Sequence, residues 1–192
     1  MGSGSWARRS AQAAADPATI PVGTDSRVDR TSNAIKVIET EHAYIHEGRA
    51  FSVSAPALNV ANNGHFDLLI QTPAVGEVHL RAFSAKTKQA DGTLILYEGA
   101  TLSANGDQLT PKNRDRPSSN APETAAFSAP TVTDAGVLLE EDYISGNVAL
   151  GGESRQVAQE WVLNPGTSYL LRYTNLSGSA SDVVINAFWY EI

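Results

Sequence analysis

The sequence predicts an all-β, antiparallel β-sandwich or jelly roll of about eight strands, with an extended N-terminal arm. Three observations carry this. Short apolar runs return at a spacing of roughly 10 to 15 residues, with turn residues between them and no helical period. Those runs favour the β-branched and aromatic side chains that suit a pleated, half-buried surface. The stretch 156–192 holds three of them, broken by Asn164-Pro165-Gly166-Thr167 and Ser177-Gly178-Ser179, which read as the turns of an antiparallel meander.

Residues 1–33 are rich in Gly, Ser, Ala, Asp and Thr and show no sustained period, so they form an arm, with the sandwich domain spanning 34–192. The arm carries Arg8, Arg9, Arg27 and Arg30 against Asp16, Asp25 and Asp29, a balance of 4 − 3 = +1, which leaves −8 of the total −7 on the domain. Such a segment becomes ordered by lying on other polypeptides, and Trp6 is its natural anchor.

Within the domain, Ile35-Lys36-Val37-Ile38-Glu39 and Arg49-Ala50-Phe51-Ser52-Val53-Ser54 alternate around a Glu47-Gly48 turn. Ala61-Asn62-Asn63-Gly64 is a strong turn, because Asn and Gly accept positive φ at low cost. It leads into a strand with Phe66, Leu68 and Ile70 on one face, ended by Pro73. The next strand points Val78, Leu80 and Ala82 inward and Glu77, His79 and Arg81 outward. Asp91-Gly92 then turns the chain into Thr93-Leu94-Ile95-Leu96-Tyr97-Glu98.

Residues 102–152 look looser. The stretch 112–122 reads as a long polar loop, Ala129-Pro130-Thr131-Val132-Thr133 as an edge strand, and Gly151-Gly152-Glu153-Ser154-Arg155 as a hinge. On the strand from Ser168, Tyr169, Leu171 and Tyr173 share one face, while Leu170, Arg172 and Thr174 share the other. In the last strand neither row is strongly polar, so it should be covered on both sides.

Composition narrows the function. There is no cysteine, so disulfides and thiolate metal sites are excluded. A net charge of −7 argues against a nucleic-acid binder. No apolar run reaches the ~18 residues of a membrane span, and residues 1–20 lack the apolar centre of an export signal, which points to synthesis in the cytoplasm.

His42 and His46 have metal-ligand spacing only on a helix, and Ala43-Tyr44-Ile45 with Gly48 favours a strand or turn, so they read as surface histidines. His65 and His79 read as solvated. Glu140-Glu141-Asp142 lacks the glycine and alternating oxygens of a calcium loop and reads as an acidic turn. Arg114 and Arg116 could grip a carboxylate or phosphate through their forked donors. None of the common nucleophile, phosphate-loop or zinc-hydrolase motifs occurs, so no enzyme, cofactor or metal site is expected. Trp161, Trp189 and Tyr190 are the aromatics that could stack on a sugar.

Several motifs in order, Tyr97-Glu98-Gly99-Ala100, Lys112-Asn113-Arg114-Asp115-Arg116, Ala129-Pro130-Thr131-Val132-Thr133, Gly151-Gly152-Glu153, the run from Glu160 to Asn175, and Trp189-Tyr190-Glu191, resemble a family of small β proteins of tailed bacteriophages. The resemblance covers residues 38–192 and implies a non-enzymatic virion structural protein. Its expected role is to decorate and cement the capsid exterior by binding the major capsid protein, as a homotrimer with itself. The arm lies outside the resemblance, and its residues Trp6, Arg8, Arg9, Arg27 and Arg30, with Arg114 and Arg116 of the loop, are the partner contacts expected from the residues themselves. The alternative is a receptor- or carbohydrate-binding jelly-roll module of a head fibre or tail.

Overall fold

The computed structural model describes residues 27–28, 35–36, 40–88, 90–146 and 160–192. The chain divides into two units, Met1–His42 and Ala43–Ile192. In the first, β1 (Arg27–Val28) pairs antiparallel with β2 (Ile35–Lys36), Arg27 opposite Lys36. This ladder crosses the boundary placed at residue 33, because two paired residues are too short to leave a period in the sequence. Arg8, Arg9, Trp6, Arg30 and the 151–155 hinge lie outside the described residues.

Helix α1 (Thr40–His46) replaces the strand or turn expected around His42 and His46. Glu41 suits its positive N-terminal end, and Gly48, at φ +69°, ends it. The Gly48 N–H donates to Ile45 O (3.0 Å) and the Arg49 N–H to Tyr44 O (3.0 Å), the paired bonds of a left-handed helix stop.

Eight strands make the body of the second unit: β3 (Ala50–Val60), β4 (His65–Gln71), β5 (Val78–Thr87), β6 (Gly92–Glu98), β12 (Val137–Ile144), β13 (Trp161–Leu163), β14 (Ser168–Asn175) and β15 (Ser181–Glu191). They pair as nested antiparallel partners, first with last: β3 with β15, β4 with β14, β5 with β13 and β6 with β12. Apart from β6 and β12, which share a sheet, successive strands alternate between two sheets, one ordered β13-β5-β15-β3 and the other β12-β6-β14-β4. This is a long hairpin rolled into a sandwich, the jelly-roll arrangement. The meander expected for the last three strands is therefore replaced, since β13 and β15 belong to one sheet and β14 to the other. Turn chemistry reverses the chain equally well within a sheet or between two.

The connection between β6 and β12 holds five short strands: β7 (Thr101–Ala104), β8 (Asp107–Leu109), β9 (Lys112–Asn113), β10 (Ala125–Ser128) and β11 (Thr131–Asp134). So much of the looser 102–152 region is strand, while the 112–122 loop is strand only at Lys112–Asn113. β9 adds to β3, β10 adds to β4, and β8 adds to β10. β7 and β11 pair with each other as a separate ribbon.

The main core lies between the two sheets. Phe51, Val53, Leu80, Phe83, Ile185 and Trp189 from one face meet Leu68, Ile70, Leu94, Leu96, Tyr169 and Tyr173 from the other. Fully burying a side chain of this size contributes about 1.5 to 3 kcal/mol. The expected alternation holds in β4 and β14, but fails midway along β5. A bulge sits where Phe188 faces Ala82 while Trp189 faces Leu80, leaving Arg81 unmatched. One extra residue flips the strand, so Phe83 enters the core in place of Ala82.

A second, smaller core covers the outer face of the other sheet. Tyr97, Leu170, Leu69 and Phe127 face one another across β6, β14, β4 and β10, and Leu102 and Val132 of the ribbon pack on them. Leu170 thus lies buried on the face read as the charged one. Beside it, Arg172 donates Nε and Nη2 to the two oxygens of Asp67, both at 2.8 Å. The Asp67 hydrogen bonds and charge outweigh burial and push the Arg172 guanidinium above its usual range.

Candidate partner-binding surface

The 112–122 loop that carries Arg114 and Arg116 is pinned from inside. The buried Asn113 amide donates to Gly48 O (2.8 Å) and Asn120 O (3.1 Å), while its Oδ1 accepts from the Asp115 N–H (2.9 Å). Asn113 and Asn120 thereby satisfy the Gly48 and Glu47 carbonyls, in the turn that follows α1. Arg114 lies over the Phe188 ring at 4.1 Å, and Arg116 donates Nη1 to Asn113 O (3.3 Å). Both remain exposed. The two arginines are therefore displayed on a fixed loop, with one guanidinium resting on an aromatic face.

The outer face of the β13-β5-β15-β3 sheet carries a polar stack that the sequence did not reveal. The His79 and Tyr190 rings stack at 4.6 Å, and Tyr44 of α1 stacks on the far side of Tyr190 at 4.6 Å. Glu160 closes the group. It accepts from the Tyr190 hydroxyl, lies 2.6 Å from His79 Nδ1 and sits 3.9 Å from Arg81 Nη1. His79, expected to be solvated, is only 12% exposed, because Tyr190 and Glu160 enclose it. Burial acts to raise the Glu160 carboxyl, yet the Tyr190 and His79 hydrogen bonds and the charges of His79 and Arg81 prevail and hold it below its usual range. Burial, then the same bond to Glu160, pushes the Tyr190 hydroxyl up. A charge next to aromatic alternation on β5 and β15 was the available signal, but no local pattern links residue 160 to residue 79.

Of the aromatics considered for sugar stacking, Trp189 is fully buried, with its indole N–H on Glu191 Oε1 (2.9 Å). Tyr190 is 6% exposed. Trp161 is half-buried and donates Nε1 to Glu140 Oε2 (2.8 Å). Glu140-Glu141-Asp142, read as an acidic turn, instead forms the middle of strand β12. No group of three His, Asp or Glu placed to hold a metal ion occurs among the described residues.

A shallow cavity of about 260 Å³ opens near the Gly48 stop, lined by Arg49, Phe51, Val75, Glu77, Glu123 and Glu191 among others. Glu191 is already committed, accepting from the Glu123 N–H (2.9 Å) and the Thr124 N–H (3.0 Å).

Val75 and Ile192 at this cavity are exposed apolar side chains, as are Leu58 and Leu176, and a further group lies on β12 and β13. Tyr143, Val137 and Leu138 on β12 and Val162 on β13 are 79%, 65%, 49% and 60% exposed. The Trp161 to Glu140 bond ties these two edge strands together on one side of the roll. Among the described residues neither strand has a second neighbour in its sheet. The arrangement offers backbone donors and acceptors, large apolar side chains and an acidic strip in one place, which is the chemistry of an edge that accepts a further strand. No family model matches this chain, and neither a curated protein nor a solved structure is similar to it at a significant level.

Proposed function

We propose that this chain is a non-enzymatic bacteriophage structural protein that decorates and stabilises the capsid exterior by binding the major capsid protein, as a homotrimer. The observation that carries the reading is the group of exposed large apolar side chains, Val137, Leu138, Tyr143 and Val162, on the β12 and β13 edges, which lack a second strand neighbour among the described residues. Unpartnered apolar surface of this kind marks protein–protein contact. The motif order from Tyr97 to Glu191 supports the phage assignment, and the +1 arm before an acidic body supports attachment at two chemically different surfaces. The Arg114 and Arg116 loop, held by Asn113, is a further contact surface suited to carboxylates of a neighbour.

The receptor- or carbohydrate-binding alternative needs an open aromatic platform, and Trp189 has no face to offer a sugar. Quantitative mass spectrometry and cryo-microscopy of purified virions test the proposal. Copies in fixed proportion to the major capsid protein, resolved on the icosahedral surface, are the expected result. A handful of copies at the neck or tail, or none in the particle, overturns it.

A further inference from the structure

We propose that strand β12, whose outer edge has no partner among the described residues, is the docking site for the N-terminal segment of a second copy of this chain, centred on Trp6-Ala7-Arg8-Arg9 and added as an antiparallel strand. The inference rests on reading the first 33 residues as a partner-seeking arm, and it adds where that arm binds.

β12 is built to refuse itself. Glu140 and Asp142 pair with the core residues Leu96 and Leu94 and so point to the inner face, whereas Glu141 and Tyr143 pair with Ile95 and Thr93 and point to the outer one. Charges therefore line both faces of the edge. Laying β12 against β12 of another copy, centred on Glu141, brings Glu141 opposite Glu141 and Glu140 opposite Asp142. Like charges directly opposite are destabilising. Inward-pointing charges are a known guard against sheets joining edge to edge. The edge accepts a strand only if that strand supplies positive charge on both of its faces.

The first 15 residues meet that requirement. They contain Arg8 and Arg9 and no Asp or Glu. Consecutive residues of a strand point to opposite faces, so the two arginines serve one face each. With Arg8 opposite Glu141, antiparallel register places Arg9 opposite Glu140 and Trp6 opposite Tyr143. The outer row then pairs an ion pair with an aromatic pair, the inner row places a guanidinium between Glu140 and Asp142, and the largest exposed side chain on the edge gains the arm's only tryptophan as its partner. Extended chain between Arg9 and Arg27 spans up to about 60 Å. That exceeds the breadth of a body of this size, whose radius of gyration is about 15 Å, so a neighbouring copy is within reach.

Sedimentation velocity and light scattering on the full chain test this, together with hydrogen exchange at β12. The wild type is expected to self-associate, more weakly as salt rises. R8E/R9E should weaken association at least tenfold with an unchanged melting curve. E141R/D142R should do the same, and the chain carrying all four substitutions should recover association. Should E141R/D142R fail to fold, R8E/R9E and the concentration dependence of β12 protection decide. A wild type that stays monomeric, association indifferent to R8E/R9E, or β12 amides protected equally at all concentrations overturns the proposal; the last would mean that the chain's own 147–159 connection or its own arm covers the edge. Virion copy number is measured separately, so failure here leaves the capsid reading to its own test.

Discussion

On the side of the roll where β3 and β4 lie, the β6 to β12 connection adds β9 to one sheet and β10 and β8 to the other, so both sheets end in strands of two or three residues. On the opposite side, β12 runs for eight residues with its outer edge open among the described residues, next to the three-residue β13. Both sides began with the same problem, a row of unpaired backbone groups. One solves it by covalent insertion, and the other by acidic side chains that admit few partners. Stability should therefore be concentrated at the sealed side and in the cores, and association at the open one.

Removing cover from the sealed region should have the largest effect. Leu170→Ala empties the small core under the β7 and β11 ribbon, where Leu170 is fully buried. It should cost about 3 kcal/mol, read as a lower urea midpoint, with a local rise in hydrogen exchange in β7 and β11. A loss under about 1 kcal/mol would mean that the ribbon does not seal that face.

Asn113→Ala should cost about 2 kcal/mol, because it removes the donor to the Gly48 carbonyl and the Asn120 carbonyl and the acceptor of the Asp115 N–H together. The same variant should loosen the loop bearing Arg114 and Arg116, seen as faster proteolysis within 114–122.

Alkaline pH tests the core that both sides share. Burial pushes the Tyr169 hydroxyl up to about 12, aided by its bond to Glu98, and burial does the same to Tyr173, whose hydroxyl has no hydrogen-bond partner among the described residues. Below pH 10 both groups stay protonated folded or unfolded. Above it the unfolded chain releases protons that the native state retains, so stability falls between about pH 10 and 12, by up to about 1.4 kcal/mol per unit for each group. Tyr173→Phe should flatten the fall and be neutral or stabilising near pH 7, since it removes an unsatisfied buried hydroxyl. A wild-type midpoint constant from pH 9 to 12 would show that these rings are not protected.

The smallest effect on stability belongs to the open side. Tyr143→Ala should change the urea midpoint by no more than about 0.5 kcal/mol, since the ring is 79% exposed. Its effect should fall on self-association instead. A loss of stability larger than that of Asn113→Ala would reverse the contrast between the two sides.

Part of this was legible in the residues. Asn63 has the positive φ, 59°, that the Asn-Gly turn called for, and Phe66, Leu68 and Ile70 face the core. Thr131–Asp134 is indeed a strand at an edge. The expected double cover of β15 is partial: Val184, Asn186 and Phe188 are half-buried, and fuller cover falls on β14. The helix at His42 was missed because seven residues give less than two full turns of periodicity, although Glu41 near its start and Gly48 after its end were local signals. His79 was misplaced because Glu160 reaches it from 81 residues away.

Alternation, turn chemistry and composition determined by themselves that this chain is an antiparallel sandwich of about eight main strands, since side-chain period and φ preference are local properties of consecutive residues. Which strand joins which sheet, where the β5 bulge flips Phe83 inward, and which pair of edges is sealed were decided only in three dimensions. Those choices depend on contacts such as Asn113 with Gly48 and Trp161 with Glu140, whose partners are far apart in the chain and leave no trace in its local pattern.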